Sequence, residues 1–110
     1  MMIGKVNSAG GIKRLVMAQA ENSAASGDVY VTLTCDFDPL VIFAYGSLYT
    51  VGKSEAKWRL TKDGNWTSSN TAHHTASNIT VSGRTITAGP YRSDDSTGGY
   101  GYVFAFGFPD

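Results

Sequence analysis

The stretch from Asp28 to Gly46 restricts what this chain can fold into more than any other. Val29, Val31, Leu33, Cys35 and Phe37 alternate there with Tyr30, Thr32, Thr34 and Asp36, the two-residue period of a strand with one face in a core and one in water. Beyond Asp38-Pro39 the residues Leu40 to Tyr45 are apolar without alternation. A run so short, following a proline break, reads as a strand covered on both faces rather than as a helix. The two strands are expected at the centre of a β domain. Each large apolar side chain they bury contributes roughly 1.5 to 3 kcal/mol, most of it offset by the chain entropy lost on folding.

Composition narrows the class further. A chain of 110 residues makes one ordinary domain with room for a two-layer core. Thirteen Gly, three Pro, six Tyr and five Phe, among many Thr, Ser and Val, favour strands joined by tight turns. Nine basic residues against nine acidic ones give zero net charge, so the electrostatic footprint for nucleic acid or an anionic membrane is missing. No segment approaches the roughly 20 apolar residues of a spanning helix, and the Met-Met-Ile-Gly-Lys start lacks an apolar run of signal-peptide length. Synthesis in a cytoplasm is expected. Cys35 stands alone and shares its parity with Leu33 and Phe37, which makes it a small buried hydrophobe rather than a reactive thiol.

Along the chain, residues 1–12, with Gly4, Gly10 and Gly11, read as a flexible leader and residues 13–110 as the folded domain. Lys13 to Ala20 is a strand, contested by a short helix through Glu21, and Ser23 to Gly27 is a turn. Ser47 to Val51 forms a short strand between Gly46 and Gly52. Ala56, Trp58 and Leu60 then alternate with Lys57, Arg59 and Thr61, an amphipathic strand that turns at Asp63-Gly64. Thr67 to Ser77 has almost no large apolar side chain and reads as a surface loop. Asn78 to Ser82 and Arg84 to Ala88 pair as a hairpin about Gly83, and Gly89 to Gly101 is a second long loop. Tyr102 to Phe108 is apolar throughout and closes the fold as a buried strand. The sum is an all-β, antiparallel sandwich of about seven strands in a single domain. Trp58 and Phe104 are expected in its core, where truncation to Ala costs about 3 to 5 kcal/mol.

The order Cys35-Asp36-Phe37-Asp38-Pro39, Leu40 to Tyr45, the hairpin Ile79-Thr80-Val81-Ser82-Gly83-Arg84-Thr85-Ile86 and the terminal Tyr102-Val103-Phe104-Ala105-Phe106-Gly107 resembles a C-terminal β-sandwich module of bacteriophage and prophage tail-fibre or appendage proteins. The resemblance spans about residues 13 to 108, with Asp36 where the module usually has Gly. A weaker likeness of layout extends to H-type lectin domains. The resemblance implies a virion protein that assembles with itself, a trimer favoured, and with other virion proteins, and that binds a bacterial surface glycan. No sugar-binding residues carry over from it.

Catalytic and metal patterns are thin. His73 and His74 are the two histidines, adjacent on a polar segment where neighbouring side chains point apart. They read as solvated, or as ligands gathered from three chains at a three-fold axis. Asp94-Asp95 lacks the spacing of a calcium loop, and no Gly-x-Ser-x-Gly elbow accompanies a histidine. A non-enzymatic protein without cofactor or resident metal is the expectation. Recognition is assigned by elimination to the two long loops: Tyr91, Arg92, Asp94 and Tyr100 in the second, Asn70, His73 and His74 in the first, and Trp66 beside them. Tyr rings offer stacking to the flat C–H faces of sugars, and the charged groups offer hydrogen bonds. Trp66 and Tyr100 read equally well as caps on the ends of the core. Under this assignment, replacing Tyr91 and Arg92 together by Ala leaves stability nearly unchanged and abolishes binding. The competing reading is a structural virion subunit, such as a capsid decoration or tail connector protein.

Overall fold

In a computed structural model these periods become eight strands: β1 (Val16–Ala24), β2 (Gly27–Thr34), β3 (Asp38–Ser47), β4 (Ser54–Arg59), β5 (Thr67–Ser69), β6 (Asn78–Ser82), β7 (Thr85–Ser93) and β8 (Gly99–Phe108). The structure describes residues 14–47, 54–61, 63–69, 78–93 and 99–109, and no helix occurs among them. The strands form two antiparallel sheets, a large one in the order β1-β8-β3-β4-β5 and a small one in the order β2-β7-β6. The expected leader, residues 1–12, lies outside the described residues, as do residues 48–51 of the expected strand after Gly46.

The alternation that opens the chain's central stretch is realised as read. Val29, Val31, Leu33, Cys35 and Phe37 are all buried, and with Ile86, Ala88 and Tyr91 from β7 they face the large sheet. Burial pushes the Cys35 thiol upward, Asp36 adds to the rise and Arg84 opposes it. The opposite face of the small sheet is wet and rich in hydroxyls, with Thr32 and Thr80 flanking Thr87, and Thr34 Oγ1 3.2 Å from Thr85 Oγ1.

Between β2 and β3 the corner Cys35 to Asp38 carries the chain from one sheet to the other. Arg84, in the β6–β7 turn, clamps it: its Nε donates to Asp38 Oδ1 at 3.0 Å, its Nη1 donates to the Asp36 carbonyl at 2.9 Å, and its own carbonyl accepts from Cys35 N at 2.8 Å.

The large sheet meets the small one through small residues. Along β8 the inward positions are Gly99, Gly101, Val103, Ala105 and Gly107, and the outward ones are Tyr100, Tyr102, Phe104, Phe106 and Phe108. Ile42, Ala44 and Gly46 of β3 and Val16, Ala18 and Ala20 of β1 continue the inward set. Large side chains of the small sheet thus pack onto Gly and Ala of the large one, an interlocking that fills the space between sheets.

Several expectations fail here for identifiable reasons. Of the expected strand Lys13 to Ala20, the described part is strand from Val16 and not helix, and it runs on to Ala24, so the turn shortens to Ala25-Ser26; Lys13 lies outside the described residues. The hairpin turn is Gly83-Arg84, with Gly83 at φ 61°. The loop Gly89 to Gly101 is mostly strand, because β7 continues to Ser93 against β2 and β8 already begins at Gly99 against β1. Thr67–Ser69 is likewise strand β5, paired with β4. Trp58 and Phe104 are half-buried on the outer face of the large sheet, not between the sheets, and Leu60, beyond the end of β4, is 69% exposed. The inward side of β4 carries Glu55, Lys57 and Arg59 instead, with Glu55 only 1% exposed and its Oε2 3.9 Å from Lys57 Nζ. Parity separates the two faces of a strand, but it does not say which is inside.

Candidate functional site

The sequence-based site residues do not converge. Tyr91 is 1% exposed and points into the core, where its ring lies against the space left by Gly46 and Gly101, a cross-strand pair of β3 and β8. A Cβ on either glycine would strike that ring, so the two glycines and the tyrosine are one packing unit. Its burial withdraws Tyr91 from any binding surface. Arg92 lies on the opposite side of the small sheet, with Nε 3.5 Å from Asp28 Oδ1 across β2. Tyr100 faces outward from the other sheet. Three neighbours on paper therefore face three directions. Trp66 packs against the core, and its ring receives the Arg59 guanidinium 4.7 Å from its centroid, a cation–π contact that favours the capping role for this residue. Asn70, His73, His74 and Asp94 lie outside the described residues.

The structure does assemble a surface that the sequence reading missed. Outward residues of the large sheet form rows across the strands: Gln19, Phe104, Phe43, Trp58 and Thr67 in one, Glu21, Tyr102, Tyr45 and Ala56 in the next, and Met17, Phe106 and Val41 in a third. Phe43 sits 6.2 Å from Trp58 and 6.3 Å from Phe104 between ring centroids, tilted by 31° and 41°. Tyr100 lies 6.0 Å from Tyr45 and 5.7 Å from Tyr102. These separations fall in the range of favourable aromatic pairs. Among the described residues of this face the charged side chains sit at its margins: Glu21 on the edge strand β1, and Asp38, paired with Phe108 at the start of β3 and bonded to Arg84. No described element packs over the face, and Met17 remains 51% and Phe108 44% exposed.

The signal was present in the sequence. Gly99-Tyr-Gly-Tyr-Val-Phe-Ala-Phe-Gly-Phe108 alternates small with aromatic at every step, a period of two in size rather than polarity. Counting every apolar residue alike hides it.

One end of the face carries a hydroxyl network. Ser54 Oγ donates to the Tyr45 hydroxyl at 3.0 Å. This bond, helped by a second from Tyr100, holds the Tyr45 phenol below its ordinary value, with desolvation opposing. Tyr100 moves upward, first through burial and then through the hydrogen bond and charge of Tyr45. Behind it, Ser47 Oγ accepts from Tyr100 N at 3.0 Å and donates to the Arg92 carbonyl at 3.1 Å, joining the two sheets. Tyr45 and Tyr100 therefore titrate as a pair, with the Tyr45 step first. In an ultraviolet titration Ser54→Ala should move the Tyr45 step upward, because it removes the bond that lowers it. Superimposable titration curves for the parent and the variant would contradict the network.

The face suits recognition by contact. Rings and hydroxyls give stacking and hydrogen bonds, and among the described residues no cluster of three or more His, Cys, Asp or Glu side chains is placed to hold a metal ion. No protein-family model, curated protein or solved structure matches this chain.

Proposed function

We propose that the protein is a non-enzymatic virion module of the tail-fibre or appendage kind, one that works within a homo-oligomer, a trimer favoured, and binds a host-surface glycan. The observation that carries this reading is the outer face of the large sheet: aromatic in every outward position of β8 from Tyr100 to Phe108, and nearly free of charge. A surface of that composition belongs to a subunit that meets partners, since monomeric proteins rarely leave large apolar patches open. The order of the Asp36 to Tyr45 corner, the β6–β7 hairpin and the terminal aromatic strand supports the tail-fibre side of the reading. Receptor contact falls to Tyr100 and to the segments 70–77 and 94–98, with Asn70, His73, His74 and Asp94.

A second reading, a structural virion subunit such as a capsid decoration or tail connector protein, draws support from Tyr91. With that ring committed to the core, the residues assigned to recognition lose their strongest stacking member. Immunogold labelling of particles, run beside a glycan panel probed with the purified protein, separates the two. Label at fibre tips with glycan retention is the expected result. Label over the capsid with no glycan bound transfers the assignment to the structural subunit, and particles without label overturn both.

A further inference from the structure

The occupant of the aromatic face can be argued from its size and chemistry. We infer that the outer face of the large sheet is a homotypic interface, covered by the same face of a second copy of this chain. The inference rests on the self-assembly in the reading above but replaces its trimer: two like faces close about a two-fold axis, so the unit it names is a dimer.

Area is the first argument. The four strands β1, β8, β3 and β4 lie about 4.8 Å apart, which with side chains makes a face roughly 20 Å wide, and the ten residues of β8 extend it to about 30 Å. Each copy therefore offers roughly 600 Å², and a pair roughly 1,200 Å², the lower edge of a specific, stable interface.

Charge is the second. An interface between like surfaces brings every charge close to its own copies, so a self-complementary face must be nearly neutral. This one has Glu21 and the Arg84-paired Asp38 at its margins and rings at its centre, and the whole chain carries no net charge to oppose association. The same neutrality removes the attraction that nucleic acid or anionic lipid would require. Shape is the third argument. Ring rows along Tyr102, Phe104, Phe106 and Phe108 repeat every second residue, so two such faces can interdigitate at the roughly 10 Å spacing of packed sheets. The small sheet's outer face, with Thr32, Thr34, Thr80, Thr85 and Thr87, has no comparable apolar content.

Sedimentation velocity on the full chain between about 1 and 50 µM, a range in which interfaces of this size associate, tests the inference. The parent is expected as an oligomer. Phe104→Glu, at the centre of the face, and Met17→Glu, on its half-exposed edge, should each weaken association by about a hundredfold or more, because each buries a carboxylate against rings. Thr32→Glu, on the other sheet, should leave it unchanged. Circular dichroism establishes that each variant folds, and Met17, half-exposed on an edge strand, keeps the test intact should Phe104→Glu fail to fold. A monomeric parent at 50 µM overturns the inference, including the case in which the face is covered by the chain's own first residues or by lipid. So does an oligomer that ignores Met17→Glu. Either failure leaves the particle-labelling result unaffected, so the interface and the virion assignment fall separately.

Discussion

Tyr91→Ala is expected to cost about 3 to 5 kcal/mol of stability, the range of a large aromatic removed from a packed interior. The residue sits over the last β3–β8 pair, near one end of the large sheet, and its ring occupies the hollow that Gly46 and Gly101 leave open. The large-sheet side, being glycine, has no side chain to collapse into the void, and only the small Val31 borders it from the other sheet. Many domains of this size have total stability near 5 to 15 kcal/mol, so the variant should melt far earlier or fail to accumulate folded. Urea denaturation followed by circular dichroism measures the loss. A change below about 1 kcal/mol would show that Tyr91 is a surface residue after all, as its place in a polar, Gly-rich stretch first suggests.

The reciprocal change should be costly for the opposite reason. Gly101→Ala places a Cβ against Cδ2 and Cε2 of Tyr91 and against Val31 Cγ2. Overpacking of this kind costs about 1 to 3 kcal/mol, more than the roughly 0.5 to 1 kcal/mol gained by replacing glycine in a strand. The two substitutions must therefore be non-additive. In the Tyr91→Ala background the added methyl enters space that the ring has vacated and meets Val31 alone, so Gly101→Ala should lose most of its penalty. Equal penalties in both backgrounds would mean that the ring and the glycine do not meet.

These two residues also mark where the sequence stops being legible. The alternation from Val29 to Phe37 announced both a strand and its buried face, because polar residues fill the other parity. The hairpin at Gly83 and the turn at Asp63-Gly64 were equally readable from turn chemistry. Leu40 to Tyr45 and Tyr102 to Phe108 were readable as strands only. With apolar residues on both parities, polarity cannot choose a face, and the choice was made by size, through Gly101, Val103, Ala105 and Gly107 lying under the small sheet. Trp58 was misplaced by the same rule. Its strand pairs Glu55, Lys57 and Arg59 with the inward Gly46, Ala44 and Ile42 of β3, so the charged side is the inward one and the apolar side faces out. Tyr91 was lost because Gly89-Pro90 reads as a loop, yet β7 passes through it, with the register against β2 shifting between Val29 and Val31. Local turn signals cannot report that a neighbouring strand holds the segment extended.

The most direct test of the outward, partnered aromatic face uses Trp58 as its reporter. The chain has two tryptophans, so Trp66→Phe leaves Trp58 alone, in the row between Phe43 and Thr67. Acrylamide quenching of its fluorescence is measured as the protein is diluted from tens of micromolar to nanomolar. The expected result is weak quenching and blue-shifted emission when concentrated, giving way to strong quenching and red-shifted emission on dilution, with Met17→Glu strongly quenched throughout. Weak quenching at every concentration, unaltered by Met17→Glu, would place Trp58 inside the single subunit and contradict the account.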